Sequence, residues 1–217
     1  MFMKKQFPIL LCILLFFSCG IDDIIYLVSP TVIHDPSSHV DGEQKYFEFE
    51  TSDKKNTEDA LGYFKGFDIF YRIYENEADC VSAINSAYSY NDSNPSAAAN
   101  YLLSSLSFSF LRSSVSSPNP LISSATADRK VSFRLTDYST HKAEILINGI
   151  NFGNVLRANN KSFSSILRTD PDVKTSNSSS SDLYVAVFTA AYGTDKYFKP
   201  FYSGIVKLGY VRINKPY

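Results

Sequence analysis

The sequence predicts a mainly β chain, a sandwich of two antiparallel sheets with a helical insertion between strands. Three observations carry that expectation. Short stretches alternate apolar and polar residues with period two, most clearly FDIFYRIY at 67–74, where Phe67, Ile69, Tyr71 and Ile73 share one face. Turn signals recur between them, the strongest being Asn148-Gly149, the dipeptide favoured in two-residue hairpins. The aromatic content is 17 Phe and 15 Tyr against no Trp, and Phe and Tyr favour strands.

Taken in order, Ile24-Ile25-Tyr26-Leu27-Val28 reads as a first strand broken at Pro30. Residues 34–43 read as a loop. In 46–51, Phe47, Phe49 and Thr51 alternate with Tyr46, Glu48 and Glu50, as in a half-buried strand. Residues 52–61 are polar and turn-like. Strand 67–74 carries Asp68 and Arg72 on its second face, which suits a sheet packed on one side. The period then changes. Asn76 is a candidate helix cap, with Glu77 and Asp79 in the first turn and Val81, Ile84 and Tyr88 at helical spacing. A second helix follows Asn94 as cap and Pro95 at its first position, with Ala98, Tyr101, Leu102 and Leu106 on its apolar face. The serine-rich stretch 104–124, with Pro118 and Pro120, reads as loop or strand and loop. Strands are expected at 131–135, 143–147 and 150–156, the last two joined through Asn148-Gly149. A polar loop spans 169–182. A strand at 183–192, long enough to be covered on both faces, is joined by a turn to a last strand at 205–213.

The start of the chain reads differently. Lys4 and Lys5 precede an apolar run at 7–17, broken only by Pro8. A membrane-crossing helix needs about 20 apolar residues, so the run suits the apolar core of an export signal instead. It ends in Phe16-Phe17-Ser18-Cys19-Gly20, which resembles the lipobox of bacterial lipoproteins, in the relaxed form typical of spirochaetes. The usual pattern has Leu and a small residue where Phe16 and Phe17 stand. The alternative is an ordinary secretory signal, whose A-x-A-like small residues are missing here. The leader, the Tyr/Phe-rich strands and the length together resemble small lipoproteins of treponemes. The resemblance implies a signal peptide at 1–18, acylation of Cys19, a short tether at 19–23 and one domain at 24–217 with an insertion at about 77–127. It places the protein in the periplasm or at the cell surface, with the outer membrane favoured because Gly20 follows the cysteine. Acyl chains contribute about 0.8 kcal/mol per buried methylene, so two or more hold firmly. Cys12 then leaves with the leader, and Cys80 has no partner for a disulfide.

FDIFYRIY also resembles the third strand of fibronectin type III domains. Tyr184, Phe188, Ala190 and Tyr192 resemble the signature of the sixth strand. That resemblance implies an immunoglobulin-like sandwich in which Tyr184 is the corner tyrosine, its hydroxyl bonded to upstream backbone. Such domains run about 100 residues, roughly half of this chain without its leader, and carry a Trp on the second strand. With no Trp here, Phe47 or Phe49 must fill that volume.

The net charge is −1, and no basic patch of the kind nucleic acid requires is present, so nucleic acid is not an expected partner. His34, Asp35, His39 and Asp41 share a loop, but in no zinc-binding spacing, so they read as solvated turn residues and no metal or other cofactor is expected. G-x-S-x-G, H-E-x-x-H and phosphate-cradling glycine patterns do not occur. Cys80 with His141, and Glu48, Glu50, Asp68 and Asp79 as a carboxylate pair, are the thin catalytic candidates, and no catalytic residue is expected. Tyr197, Phe198, Phe201 and Tyr202 are expected to pack over the sandwich end. The function expected is a non-enzymatic envelope module, held to the membrane through Cys19, that contacts a protein or glycan. The alternative class is an envelope hydrolase or metal-dependent enzyme with a site built from distant residues. Replacing Cys19 with Ser is expected to abolish metabolic acyl labelling and release the protein from membranes; a variant that still labels refutes the anchor.

Overall fold

The computed structural model describes residues 25–176 and 182–214. The leader, Cys19 with its short tether, and the core of the serine run at 177–181 lie outside the described residues. In chain order the strands and helices are β1 (Thr31–His34), β2 (Phe47–Glu50), α1 (Asp53–Asp59), β3 (Phe64–Tyr74), α2 (Glu77–Ser93), α3 (Pro95–Ser104), β4 (Ser109–Phe110), β5 (Arg112–Ser113) and β6 (Ile122–Ser123). They continue with β7 (Lys130–Phe133), β8 (Glu144–Ile147), β9 (Ile150–Leu156), β10 (Val173–Lys174), β11 (Asp182–Thr194), β12 (Pro200–Tyr202) and β13 (Val206–Asn214).

The strands form two sheets. The first has the order β1-β2-β7-β8-β9-β5, antiparallel throughout. The second is built on β3 and β11, paired antiparallel from Tyr74–Tyr184 to Phe64–Gly193. β10, β4 and β6 share the outer edge of β3, and only β10 is parallel to it. β13 and then β12 take the other edge of β11.

Alternation decides what each face of β3 meets. Phe67, Ile69, Tyr71 and Ile73 are buried between the sheets with Phe47, Phe49, Val131, Phe133 and Ile145. Phe47 and Phe133 stack there at 5.1 Å. The opposite face is also buried, which corrects the one-sided sheet expected from Asp68 and Arg72. Phe70, Tyr74, Ala186, Phe188 and Ala190 lie under α2 and α3, against Cys80, Ile84, Ala87, Ala98 and Leu102. The molecule is therefore sheet, sheet and helix pair. Each fully buried large side chain contributes about 1.5–3 kcal/mol, so the doubly covered β3 and β11 carry much of the apolar burial.

The hairpin at Asn148-Gly149 forms as its sequence predicts, with φ of +51° and +78° at the two turn residues. The Asn148 side chain accepts a hydrogen bond from Lys130 N–H at 2.9 Å, which ties the turn to β7. A bulge in β13 puts Gly209 at φ +107°, and a Cβ there would meet Asp35 Oδ1 at 1.9 Å. Only glycine lets the short turn Pro36–Ser38 lie against the strand.

Two expectations are corrected. Ile25 to Val28 is not a strand: the backbone of Val28 is instead held by Asn56, whose side chain accepts from Val28 N–H at 2.6 Å and donates to its carbonyl at 2.9 Å. Pairing begins only after Pro30. Residues 52–61 contain the helix α1 rather than turns. Its sequence, DKKNTED, has no apolar residue, so no period marks it. Asp53, fully buried, holds its start: Thr51 Oγ1 (2.7 Å), Arg129 Nε (3.0 Å) and Ala125 N–H (2.7 Å) all donate to its carboxylate.

A second polar hub anchors β10. Arg157 has no exposed surface and bonds the carboxylates of both Asp170 (2.7 Å) and Asp172 (Nε, 2.9 Å). Asp172 also accepts from the Tyr71 hydroxyl, which in turn accepts from Ala158 N–H. Burial pushes the Asp170 carboxyl up, but the Leu167 N–H and the guanidinium outweigh it and leave it below the usual carboxylate range. Removing one partner of a buried charged cluster leaves the other uncompensated. Arg157→Met is expected to destabilise the fold by about 3–5 kcal/mol in urea unfolding; a loss below about 1 kcal/mol would place the cluster outside the stabilising core.

Candidate binding face of the helical layer

Between Arg72 and Arg112 the chain has no Lys or Arg, and from Cys80 to Leu111 its one charged residue is Asp92. This stretch makes α2 and α3. Their inner sides are small, with Cys80, Ala83, Ala87, Ala98 and Ala99 letting both helices sit close to the sheet. Asn76 caps α2 as predicted, accepting from Ala78 N–H at 2.8 Å. Ile84 and Leu102 point inward as expected. Tyr88 and Tyr101 do not: Tyr88 is half exposed, and Tyr101 turns outward to stack on Tyr90 at 4.2 Å with the rings 8° from parallel.

Around that tyrosine pair lies a shallow, open groove lined by Asn85, Ser86, Ser89 and Ser93. The hydroxyls of Ser86 and Ser93 donate to carbonyls of their own helix at 2.9 Å, which leaves their oxygens as outward acceptors. Surface helices ordinarily carry Lys and Glu. A face that lacks them and presents Tyr, Ser and Asn has the makeup of recognition surfaces, where charge is depleted and tyrosine supplies rigid amphipathic area.

Past the turn between α2 and α3, a cleft of about 850 Å³ separates that turn from the loop joining β11 to β12. Asn91, Pro95 and Asn100 form one wall, Asp195, Lys199 and Phe201 another, and Ile25 to Leu27 pass through it. Tyr197 and Phe198, at the tip of this loop, are 76% and 84% exposed. This corrects the expectation that they pack over the sandwich. Only Tyr202 is buried, with Phe201 half-buried, because β12 pairs with β11 and directs Tyr202 beneath the helices.

The titratable candidates are dispersed. The rings of His34 and His39 stack at 5.0 Å, and His34 Nε2 lies 2.9 Å from the Gln44 carbonyl. Asp35 and Asp41 accept from Ser37 and Glu43 N–H, capping two short turns. Among the described residues no three His, Cys, Asp or Glu are placed to hold a metal ion. Cys80 is buried beneath α2 and its thiol is pushed up to about 12 by burial and by the nearby Glu77 charge, whereas His141 lies in the turn between β7 and β8. Glu48 faces Lys130 at 3.5 Å, Asp79 faces Lys174 at 3.9 Å, and Asp68 lies under the helices. These carboxylates are not brought together. The ring of Tyr184 lies 6.4 Å from that of Tyr210 on the helix side of β11, and the upstream backbone a corner tyrosine would bond lies partly outside the described residues.

Among the described residues, Asp68 is the one acid buried in the middle of a strand. It accepts from Asn119 and Leu121 N–H at 2.9 Å, and Tyr202 Oη lies 3.3 Å away. Burial outweighs these bonds and raises its carboxyl above the usual range. A raised carboxyl favours the fold below the unfolded-state value and loses that contribution as pH rises through the folded value. Asp68→Asn keeps the acceptor oxygen and removes the charge. Its stability relative to the native chain is therefore expected to grow as pH rises from 3.8 towards neutrality, read by unfolding midpoints across pH; a difference that stays flat refutes the account.

No helix among the described residues is long and apolar enough to cross a membrane. Comparison with protein-family models, with curated proteins and with solved structures returns no match in any of the three.

Proposed function

We propose that this chain is a lipid-anchored, non-enzymatic binding module of the cell envelope, whose helical layer recognises a neutral glycan. The observation that carries the reading is the charge-poor Tyr/Ser/Asn face of α2 and α3 around the stacked Tyr90 and Tyr101, in a stretch whose one charged residue past Asp79 is Asp92. An aromatic platform ringed by hydroxyls and amides suits the apolar face and hydroxyl rim of a sugar ring, and a face with no cation and a single carboxylate offers little to an anionic ligand.

The anchor rests on Lys4, Lys5, the apolar run 7–17 and Cys19, with the outer membrane favoured by Gly20. The strand order supports the fibronectin type III-like reading. β3, β11 and β13 are neighbours in one sheet, β1, β2 and β7 in the other, and the helical layer enters between β3 and the strands that follow. In this reading the sandwich is a mount and the insertion at about 77–127 is the recognition element.

Neutral envelope oligosaccharides titrated into the protein are expected to bind with an affinity unchanged between low salt and about 1 M salt, where the screening length falls to about 3 Å. Tyr101→Ala is expected to weaken that binding about 10-fold, as loss of a stacking partner worth ~1.4 kcal/mol does, with the circular dichroism spectrum unchanged. Binding that weakens steeply with salt, or that survives both Tyr90→Ala and Tyr101→Ala, refutes the proposal.

A further inference from the structure

The chain enters the fold beside its most exposed aromatic residues. Ile25 and Tyr26 lie in the same cleft as Asp195, Lys199 and Phe201, at the base of the loop that carries Tyr197 and Phe198. Cys19 is six residues before Ile25, and six extended residues span at most about 20 Å. If Cys19 is acylated, this end of the domain is held within about that distance of the bilayer.

The tip is built rather than slack. Asp195 Oδ1 accepts from both Tyr197 and Lys199 N–H at 2.8 Å, and its carbonyl accepts from Phe198 N–H at 2.9 Å. Phe198 has φ of +62°, a conformation that costs a bulky side chain about 1–2 kcal/mol and is kept only where the surroundings fix it. At this position the ring stands in solvent. Lys196 Nζ sits 5.2 Å from the centre of the Tyr197 ring, and Lys199 follows. Beside the loop, Tyr63 carbonyl accepts from Thr194 N–H, which brings the exposed Leu61 turn to the same end. Aromatic rings flanked by lysines are what the headgroup level of a bilayer accommodates: rings at the acyl boundary, ammonium groups at the phosphates.

We propose that the tip formed by Tyr197 and Phe198 is a second, non-covalent membrane contact, seated at the headgroup–acyl boundary of the bilayer that holds Cys19. It rests on the lipid-anchor reading. Acyl chains supply retention; two rings and two lysines add orientation, standing β3 and β11 on end and turning the helical face sideways from the membrane rather than into it.

The chain has no Trp, so a single introduced indole reports alone. Phe198→Trp places it at the tip. Val40→Trp is the control, at a residue 91% exposed in a hollow with Tyr184 and Arg212, at the other end of β11. All three layers are formed by residues after 24, so residues 19–217 are used, with Cys19→Ser and an amino-terminal hexahistidine, held on phosphatidylcholine–phosphatidylglycerol vesicles through a nickel-chelating lipid. Attachment then no longer depends on acylation. Lipids brominated on the acyl chain are expected to quench most of the emission of F198W and to shift what remains to shorter wavelength, while V40W is unaffected. Adding Tyr197→Asp to F198W is expected to abolish the quenching. Equal, weak quenching at both positions, or an F198W emission that stays aqueous and responds only to added protein, overturns the proposal. Acyl labelling of Cys19 in the native chain is scored separately. Labelling without quenching refutes the tip and keeps the anchor; quenching without labelling refutes the anchor and keeps the tip.

Discussion

The antiparallel pairing of β3 with β11 is the constraint on which everything else depends. A sheet whose two central strands are apolar on both faces cannot leave either face in water. One face therefore takes the first sheet, through Phe67, Ile69, Tyr71 and Ile73, and the other takes α2 and α3, through Phe70, Tyr74 and Phe188. The ten-residue register from Tyr74–Tyr184 to Phe64–Gly193 places both sets at once, because a slip of one residue would exchange the faces along the whole strand. Asp68 would then be aimed into the apolar space between the sheets, away from the N–H groups of Asn119 and Leu121. A buried carboxylate thus makes the wrong register more costly than apolar packing alone would.

Buried polar groups do a second job at the margins of the sheets. Arg157, Asp170 and Asp172 close the segment between β9 and β10, Asp53 sets α1 against residues 125–129, and Asn56 takes the place of a strand partner for Val28. Each joins pieces of chain that have no apolar pattern. Such hubs stabilise only when complete, since a half-satisfied buried group costs more than an apolar replacement. They also give these irregular segments one arrangement rather than several.

That division explains what could be read from the residues. β3, β11, the Asn148-Gly149 hairpin and the two helices of the insertion were legible because their apolar period or turn chemistry is local. Helix α1 and β10 were not. DKKNTED has no period, and Val173-Lys174 pairs with β3 next to aspartates that Arg157, some fifteen residues earlier, holds. The candidate face was half legible. Tyr101 falls at helical spacing with Leu102 and reads as core, yet the buried positions beside it go to Ala98, Ala99 and Leu102, and its ring stacks on Tyr90 instead. The near-absence of charge across 80–111, broken only by Asp92, was available in the sequence as a signal, but its meaning needed the knowledge that those residues cover one outer face. Tyr197 and Phe198 look like core in sequence, and only the pairing of β12 with β11 separates them from Tyr202.

The bulged strand β13 has a mechanical side. Its first residue, Val206, lies near the cleft where Ile25 enters, and its last, Asn214, pairs with Asp182 at the far end of β11. A pull applied between the entering chain and Asn214 therefore runs along the strand. It loads the β11–β13 hydrogen bonds in shear, from Thr189–Val206 to Asp182–Asn214, so that they must yield together rather than unzip singly. Asp35 and Ser37, resting on Gly209, act as a catch against that sliding, with Ser37 Oγ accepting from Tyr210 N–H at 2.9 Å and Lys207 paired to Asp35 at 3.4 Å. Tension between Val206 and Asn214 is thus met by the whole β11–β13 ladder at once rather than by one bond after another.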